Sequence, residues 1–478
     1  MISLKSKIIS GLAWSSLAKL ITQVFSWIST FVVIRHLTSD DYGVISVAFA
    51  LMGVFLILSE FGLAEALIQK KKLHPRNYSQ IFTATLLINI TIFVLLFMFS
   101  DVISEYFNEI RLKSVLIYIS ANLVLSSFIV IPESLLNRNM SFKQRAIIES
   151  IASIFNTIVT LFLAINGAGY WSILLGLTAN TLVKVFLFNV NVKVNYQLTI
   201  NFKGFRALFD FGIYTFLSRV VWALYSKIDV FVIGKLLGTQ ALGVYSVANQ
   251  IASMPLDKLS GTVNQVAFAG FSQLHREKKS DLAHLYYSLR LISGLIFPCF
   301  IGIAAIAPQL IPIIIGEQWS NSIPLIQILC IVMPFKLVNS LLGTYITSMG
   351  HAKFNLFNSM AYFLCVGLGV FVGQNYDVTG IALGVSVGFI SCFILVVFRI
   401  ANFLKAKVLS LLSIVFLPFI FSLLMWLIVL VLADSDYQLH PTLNLIILIF
   451  TGFISYLLLM ALFSKTYLDD LLKAFKKT

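Results

Sequence analysis

Long apolar stretches separated by short polar connections run along almost the whole chain. A helix needs about 20 apolar residues to cross the hydrocarbon core of a bilayer, and fourteen stretches of the sequence reach or approach that length. The pattern therefore predicts an all-α integral membrane protein with about fourteen transmembrane helices. The predicted limits are 8–34, 43–67, 80–104, 112–133, 147–165, 168–190, 207–234, 241–268, 286–306, 322–348, 354–373, 378–400, 408–432 and 441–464.

The first stretch follows Lys5 and Lys7, an arrangement that superficially resembles a secretory signal sequence. Its apolar run from Ile8 to Ile34 is longer than the apolar core of about 7–15 residues that a signal sequence carries. No cleavage site of small residues is clear. We therefore interpret the stretch as a retained first span.

Basic residues are distributed unevenly between alternate connections. Cytoplasmic loops of membrane proteins are enriched in Lys and Arg. With both termini in the cytoplasm, the inside segments hold 23 of the 34 basic residues and the outside connections hold four. We therefore expect a multi-pass protein of a bacterial cytoplasmic membrane with both termini cytoplasmic. The outside four are Arg35, Arg111, Lys113 and Lys235.

Composition narrows the class of protein. Hydrophobic residues make up 59% of the chain and charged residues only 11%, whereas soluble domains carry about 25% charged residues. Orientation and attraction to anionic lipid explain the net charge of +14, so we expect no nucleic-acid partner. The four cysteines form no CxxC pair, and we expect neither a metal nor another cofactor. No connection is long enough for a catalytic domain, which favours a transporter over an enzyme.

A short pattern occurs twice, 200 residues apart. Each copy lies at the connection from an odd-numbered predicted span to the next span. This shared position indicates a duplication that relates spans one to six with spans seven to twelve. An even number of spans per half makes the repeats parallel, so we predict six-helix lobes at 1–200 and 201–406, then two helices and a cytoplasmic tail at 407–478. Leu37, Gly43, Val44, Ser46, Val47 and Ala48 recur as Leu237, Gly243, Val244, Ser246, Val247 and Ala248.

Polar residues form stripes along three of the predicted helices. Their spacing of three and four residues places them on one face of each helix, which indicates contact with water or a polar substrate. The alternative for the Ser and Thr positions is that they join helices together. The stripes are Ser16, Lys19, Gln23, Ser26 and Thr30; Thr215, Arg219, Trp222, Ser226 and Asp229; and Ser246, Gln250, Ser253, Asp257, Ser260 and Asn264.

Lys19 and Arg219 occupy equivalent places in the two repeats, about a third of the way into their spans. Charged groups at that depth usually face a wet cavity or a partner, and we predict that the two cations face each other across a central cavity and attract an anionic substrate. Snorkelling or pairing with an acid are the alternatives. The candidate substrate-binding residues are Lys19, Gln23, Arg219, Trp222, Ser226, Asp229, Gln250, Asp257 and Asn264.

Three other basic residues within predicted spans are interpreted as snorkelling residues: Lys184, Arg290 and Lys336. Two pairs of adjacent charges are ambiguous, because the members of each pair can simply neutralise one another. These pairs are Lys227 with Asp229, and Asp257 with Lys258.

Three segments resemble a known family. The segment RHLTSDDYGVISVAFALMGVFLILSEFGLAEALIQKKK (35–72) is similar to the second-span signature of the polysaccharide transporter (Wzx-type flippase) branch of the multidrug/oligosaccharidyl-lipid/polysaccharide superfamily. ALGVYSVANQIASMPLDKL (241–259) and GEQWSNSIPLIQILC (316–330) are similar to the colanic acid and teichuronic acid exporters of that branch. The resemblance covers nearly the whole chain.

The resemblance implies a V-shaped pair of six-helix lobes that translocates an undecaprenyl-diphosphate oligosaccharide by alternating access, with coupling to H+ or Na+ as an option. Two other functions stay open. A drug/cation antiporter of the same superfamily would share the architecture, although its cavity should be more acidic and aromatic. A membrane polysaccharide polymerase or ligase would be expected to carry a longer extracytoplasmic loop.

Overall fold

The structure is a computed structural model that describes residues 23, 25–60, 75–139, 141–194, 196–199, 201, 213–277, 281–434, 440–464 and 467. Across these residues the chain is helical apart from short connections, and no β-strand occurs among them. The predicted all-α class is therefore confirmed.

Each described helix falls on one predicted span, because the long apolar runs set where a helix can lie in a bilayer. We number the helices in chain order. They are α1 (25–36), α2 (Ser39–Glu60), α3 (Pro75–Tyr106), α4 (Arg111–Arg138), α5 (Phe142–Ile165), α6 (Trp171–Asn191), α7 (Ile213–Tyr225), α8 (Ile228–Leu236), α9 (Gly238–Arg276), α10 (Asp281–Ile314), α11 (Ile323–Ser348), α12 (Ala352–Gly373), α13 (Asp377–Leu404), α14 (Val408–Ala433) and α15 (Pro441–Phe463).

Ten helices in the described part of the chain are long and apolar enough to cross a membrane. One of the ten, Lys353–Leu404, contains both α12 and α13. The three predicted spans outside this set coincide with α1, with α7 and α8 together, and with α9. The multi-pass architecture is thus established, and the count of fourteen stays a prediction.

Predicted span seven is not one continuous helix. α7 ends at Tyr225 and α8 begins at Ile228, with Lys227 at a φ of −127° between them. The Asp229 carboxylate accepts a hydrogen bond from the N–H of Val230 at 2.8 Å. Because the first N–H groups of a helix have no partner within it and the helix dipole favours an acid there, Asp229 stabilises the new helix start.

The helices group into two compact units, Met1–Gly243 and Val244–Thr478, whereas the lobe boundaries predicted at 200 and 406 stay predictions. In the first unit α3 packs on α4, α5 on α6, and α2 contacts α4, α7 and α8. In the second unit α10 packs on α11, α14 and α15.

A glycine-lined contact joins α12 and α13 in the second unit. A Cβ atom added at Gly369 or Gly384 would overlap the carbonyl oxygen of the other residue, and the same holds for Gly373 with Gly380. Lipid gives apolar surfaces no reason to associate, so membrane helices pack tightly where small residues let their backbones approach. These glycines fix α12 and α13 as a close antiparallel pair.

A second glycine contact lies in the first unit and links the two copies of the repeated pattern. A Cβ at Gly43 on α2 would overlap the carbonyl oxygen of Thr239, and a Cβ at Gly243 on α9 would overlap that of Ser39. Ser39 and Thr239 are themselves 200 residues apart, and each lies four residues before a glycine. The two glycines therefore occupy equivalent places, as the repeat predicts.

Candidate functional site

One face of α11 is only partly covered by the rest of the protein, and the second half of that face is polar. Leu337, Val338, Leu341 and Leu342 are almost completely buried. Positions between these buried residues are partly or fully exposed. They are Lys336, Asn339, Ser340, Gly343, Thr344 and Thr347. Polar groups are costly against lipid, so this face is a candidate for the lining of a water-accessible passage.

An open groove of about 490 Å³ lies between α9 and α11 within the second unit. Asn264 of α9 connects its two walls. The amide Nδ2 of Asn264 donates a hydrogen bond to Ser340 Oγ at 2.6 Å, and Thr344 Oγ1 donates to Asn264 Oδ1 at 3.1 Å. The lining residues are Asn264, Gln265, Phe268, Ser340, Gly343, Thr344 and Thr347.

The hydrogen-bonded row continues from the groove to α12. Asn355 Nδ2 donates to the carbonyl oxygen of Gly343 at 2.8 Å and to Thr347 Oγ1 at 2.7 Å. Hydroxyl and amide groups both donate and accept hydrogen bonds, and the lining adds one aromatic ring, that of the exposed Phe268. The groove therefore combines apolar surface with hydroxyl and amide groups that are hydrogen-bonded to one another.

Of the predicted site residues, Asn264 is the one that the structure places in this groove. Gln250 lies on the same helix and is partly buried. Asp257 is exposed and accepts a hydrogen bond from Ser253 Oγ at 3.1 Å. The stripe predicted on span eight thus lies on one helix, and its last residue, Asn264, hydrogen-bonds α11.

The stripe predicted on span seven is divided by the break between α7 and α8. Trp222 is about half exposed, at 53%. Ser226 Oγ donates to the carbonyl oxygen of Ala223 at 3.1 Å, and Asp229 is buried, with its carboxylate on the Val230 N–H. Two of these three side chains therefore hydrogen-bond local backbone.

The remaining predicted residues are described only in part. Lys19 lies outside the described residues. Arg219 belongs to α7, and its side chain is not among those described. Gln23 is helical, and its Nε2 has no hydrogen-bond partner within the described residues. The prediction that Lys19 and Arg219 face each other across a cavity accordingly stays a prediction.

Sequence reasoning missed the α11 wall of the groove. Ser340, Thr344 and Thr347 follow Lys336 at intervals of four, four and three residues, which is the spacing of one helix face. That spacing was a usable signal. It is as regular as the stripes that were singled out.

A second polar cluster lies in the first unit, beside the glycine contact. Arg111 Nε and Nη2 donate to the two carboxylate oxygens of Glu109, at 2.8 Å each. This hydrogen bond is the main reason why the pKa of Glu109 lies below its ordinary value. Thr239 Oγ1 donates to Asp40 Oδ1 at 2.8 Å.

Residues predicted to lie outside the membrane are thus paired locally. Lys113 Nζ lies 2.6 Å from Asp101 Oδ1, and Lys235 Nζ donates to the carbonyl oxygen of Tyr106 at 2.6 Å. We interpret this cluster as structural, because it ties the start of α9 to α2 and to the connection between α3 and α4.

Comparison with known proteins gives the family. Residues 32–324 match the sequence model of the family described as polysaccharide biosynthesis protein, which is more than half of the chain. The chain belongs to this family. Membership in the polysaccharide biosynthesis protein family confirms the resemblance drawn from the sequence segments.

Individual relatives of this polysaccharide biosynthesis protein are distant in sequence. It is 24% identical to the lipopolysaccharide biosynthesis protein WzxC of Escherichia coli (strain K12) over 397 residues, which are 80% of this chain and 78% of WzxC. It is 22% identical to the teichuronic acid biosynthesis protein TuaB of Bacillus subtilis (strain 168) over 411 residues, 85% of this chain and 82% of TuaB.

The fold has a solved counterpart. The structure of the lipid II flippase MurJ in an inward closed conformation matches with a TM-score of 0.76 and 17% sequence identity, covering 94% of this chain and 98% of MurJ. At that identity the likeness concerns the fold alone. The chain therefore has the same fold as MurJ.

Proposed function

We propose that this protein is a flippase that moves an undecaprenyl-diphosphate-linked oligosaccharide across the bacterial cytoplasmic membrane by alternating access. The observation that carries the proposal is the open groove between α9 and α11, beside which Asn264 is hydrogen-bonded to Ser340 and Thr344 in an otherwise apolar helical protein. Relatives named for lipopolysaccharide and teichuronic acid biosynthesis support it. The translocated oligosaccharide would then be used for surface polysaccharide synthesis.

The chemistry of the groove fits such a substrate. Sugar hydroxyls lose their hydrogen bonds to water when they enter a hydrocarbon environment, and each loss is costly unless another partner replaces the water. The side chains of Asn264, Ser340, Thr344 and Thr347 would supply such partners by exchanging the hydrogen bonds that they make within the protein for bonds to the sugars. The polyprenyl tail needs no polar path, because it stays in the bilayer.

Several parts of the proposal go beyond the groove. Both termini are placed in the cytoplasm on the evidence of the basic connections. Lys19 and Arg219 are proposed to attract the diphosphate electrostatically. Coupling to H+ or Na+ remains an option that the proposal does not require.

The alternative functions have less support. A drug/cation antiporter would be expected to have acidic and aromatic groups at its substrate site. Among the described residues the groove is lined by one aromatic ring, that of Phe268, and by no acidic side chain. A polymerase or ligase would need a catalytic group. The family match and the neutral hydrogen-bonding lining together favour transport of a polysaccharide precursor.

Reconstitution tests this function directly. The purified protein is placed in liposomes together with the lipid-linked precursor extracted from the source cells, and an impermeant glycosidase outside reports how much oligosaccharide is exposed. We expect more exposure than in protein-free liposomes and in liposomes with an unrelated polytopic protein. Exposure equal to these two controls would contradict the proposed function.

A further inference from the structure

Two lysines lie in the short connection between α13 and α14. α13 ends at Leu404 and α14 begins at Val408, so Lys405, Ala406 and Lys407 make up the whole connection. Both flanking helices belong to segments that are long and apolar enough to cross a membrane, and such a segment ends where the hydrocarbon core meets the lipid headgroups. The two lysines are therefore held at the depth of the headgroups.

The charge around this connection is entirely positive. From Val378 to Ala433 the sequence contains no Asp or Glu, and its charged residues are Arg399, Lys405 and Lys407. Both lysines are exposed. Neither forms an ion pair within the described part of the chain, so their charges are available to an anion from outside the protein.

A third cation is held at the same end of α13. The guanidinium of Arg399 donates a hydrogen bond to Asn358 Oδ1 at 2.8 Å, and its Cζ lies 4.8 Å from the centroid of the Phe354 ring. Phe354 is the third residue of α12, so these contacts place the guanidinium close to the end of the helix pair. The amide and the ring carry no net charge, and Arg399 therefore adds to the positive potential there.

Neither lysine is the residue that the helix ends favour most. Lys407 directly precedes α14, where the helix dipole disfavours a cation and where Ser, Thr, Asp and Asn are preferred because their side-chain oxygen accepts a hydrogen bond from the first turn. The end of α13 does favour a cation, but Lys405 has a φ of 53° in the left-handed region, which glycine adopts more readily. Helix stability alone thus does not explain the two lysines.

Exposed apolar side chains flank the lysines. Leu409, two residues after Lys407, is 78% exposed, and Phe398 on α13 is 45% exposed. A ligand that covers both the cations and the apolar surface must carry a negative headgroup and hydrocarbon chains. An anionic phospholipid has both. A zwitterionic phospholipid brings its own ammonium group, which competes with the lysines for its phosphate.

We propose that Lys405 and Lys407 bind the phosphate of an anionic phospholipid at the connection between α13 and α14. Its acyl chains would lie on the apolar surface that includes Phe398 and Leu409. Basic clusters at the ends of membrane helices commonly bind anionic headgroups. The site goes beyond the proposed function, because a structural lipid bound there does not depend on what the protein transports.

Titration with phosphatidylglycerol tests the site. The full-length protein is purified in micelles of a neutral detergent, and its melting temperature is measured as the mole fraction of phosphatidylglycerol rises. We expect the melting temperature of the wild type to increase, since a ligand that binds the folded state stabilises it. Lys405→Gln and Lys407→Gln should each need about fivefold more lipid for the half-maximal increase, the effect of one basic residue at a membrane surface.

Two further variants separate binding from folding. Lys407→Arg should respond to the lipid as the wild type does, because arginine also binds phosphate. Lys407→Ser supplies an acceptor for the first turn of α14, so without added lipid it should be at least as stable as the wild type. Its response to phosphatidylglycerol should nevertheless be weakened about fivefold, as for Lys407→Gln. A wild-type response by Lys407→Ser would contradict the proposal.

The matched control is Lys193→Gln. Lys193 is also exposed and follows a membrane helix, α6, which ends at Asn191, but it is the one basic residue in the sequence from Val185 to Phe202. We expect a wild-type response from this variant. Phosphatidylcholine and inorganic phosphate are titrated in parallel, and neither should raise the melting temperature as phosphatidylglycerol does.

Each other result overturns part of the inference. An equal loss of response in Lys193→Gln would mean a general attraction between the basic protein and anionic lipid instead of a site at this connection. Equal stabilisation by phosphatidylcholine would show that the negative charge is not needed, and equal stabilisation by inorganic phosphate would show that the lipid is not. A wild type that does not respond to phosphatidylglycerol would refute the site. None of these results bears on the flippase proposal, because no transported substrate is present.

Discussion

Helix α9 takes part in two contacts of opposite character. Near its start, in the first unit, Gly243 and Gly43 let two backbones approach until a methyl group on either would overlap a carbonyl oxygen. Further along, in the second unit, Asn264 reaches Ser340 and Thr344 through side chains and leaves an open groove beside them.

The difference lies in what each contact can accommodate. The glycine contact contains no side chain that could rotate away, so any added atom must push the backbones apart. The groove is built from hydroxyl and amide groups that can turn and change partners. The first contact should therefore be sensitive to size, and the second to hydrogen-bonding chemistry.

The largest expected effect is that of Gly43→Ala or Gly243→Ala. Overpacking of a tight interior typically costs about 1–3 kcal/mol, so either variant should lower the melting temperature of the purified protein and reduce export. Gly43→Val should be worse. Because both glycines serve one contact, the double alanine variant should lose less stability than the sum of the single variants.

Gly53→Ala on α2 and Gly261→Ala on α9 are the matched controls. Neither glycine has a neighbouring atom within 4 Å of an added Cβ, and alanine is favoured over glycine in a helix by roughly 0.5–1 kcal/mol. These variants should be as stable as the wild type or slightly more so. If the control variants were destabilised as much as the test variants, the tight contact between Gly43 and Gly243 would not be the cause of the loss.

A smaller effect is expected for Asn264→Leu. The substitution has a similar volume but removes both side-chain hydrogen bonds that join α9 to α11. We expect export to fall about fivefold or more, with a modest fall in melting temperature, since each lost hydrogen bond costs about 1 kcal/mol net. Surface polysaccharide at matched membrane levels is the measurement. Asn375→Leu, in the connection before α13, is the control and should leave export unchanged. Normal export by Asn264→Leu would show that the groove takes no part in transport.

Thr239→Val should lower the stability modestly and should leave the packing of Gly43 against Gly243 almost unchanged. The variant keeps the side-chain volume but loses the hydrogen bond to Asp40, which costs about 1 kcal/mol. Thr239→Ser should retain that bond. Thr91→Val is the control, because the Thr91 hydroxyl is exposed and bonds only a carbonyl of its own helix. Thermal unfolding distinguishes these variants, and equal losses from Thr239→Val and Thr91→Val would contradict the assignment.

The smallest expected effect is a dependence on pH. The hydrogen bond from Arg111 lowers the pKa of Glu109 in the folded protein, so the charged carboxylate contributes stability above the ordinary pKa of glutamate. That contribution should be lost as the pH falls from this ordinary value through the lowered one. Melting temperature measured against pH should therefore decline less steeply for Glu109→Gln than for the wild type. Glu105→Gln, at an exposed position, should keep the wild-type slope.

The sequence was sufficient for the placement of the helices. α14 was predicted at 408–432 and lies at Val408–Ala433, and α15 was predicted at 441–464 and lies at Pro441–Phe463. The reason is physical: a bilayer requires an apolar run of fixed length, and few other structures satisfy the backbone there. Phase along α9 also identified Asn264 as a candidate.

The hydrogen-bond partners of Asn264 could be identified only from the tertiary structure. Thr344 Oγ1 also lies 2.9 Å from the carbonyl oxygen of Ser340 in its own helix, which is the local bond that Ser and Thr commonly form in helices. From sequence alone such a residue cannot be told from one that joins two helices. The break after α7 was missed for a similar reason, because no proline or glycine marks it: the sequence from Ile213 to Ile233 contains neither.

The reciprocal glycine contact also has a consequence for the order of events during synthesis. Its two glycines are separated by 200 residues of chain, and at about 5–20 residues per second a ribosome needs roughly 10–40 s to produce that length. Throughout this interval α2 is in place but its partner surface on α9 does not yet exist. The first unit therefore closes only when the opening turns of α9 arrive, and a factor that shields the Gly43 face of α2 from wrong helices would have to act within that time.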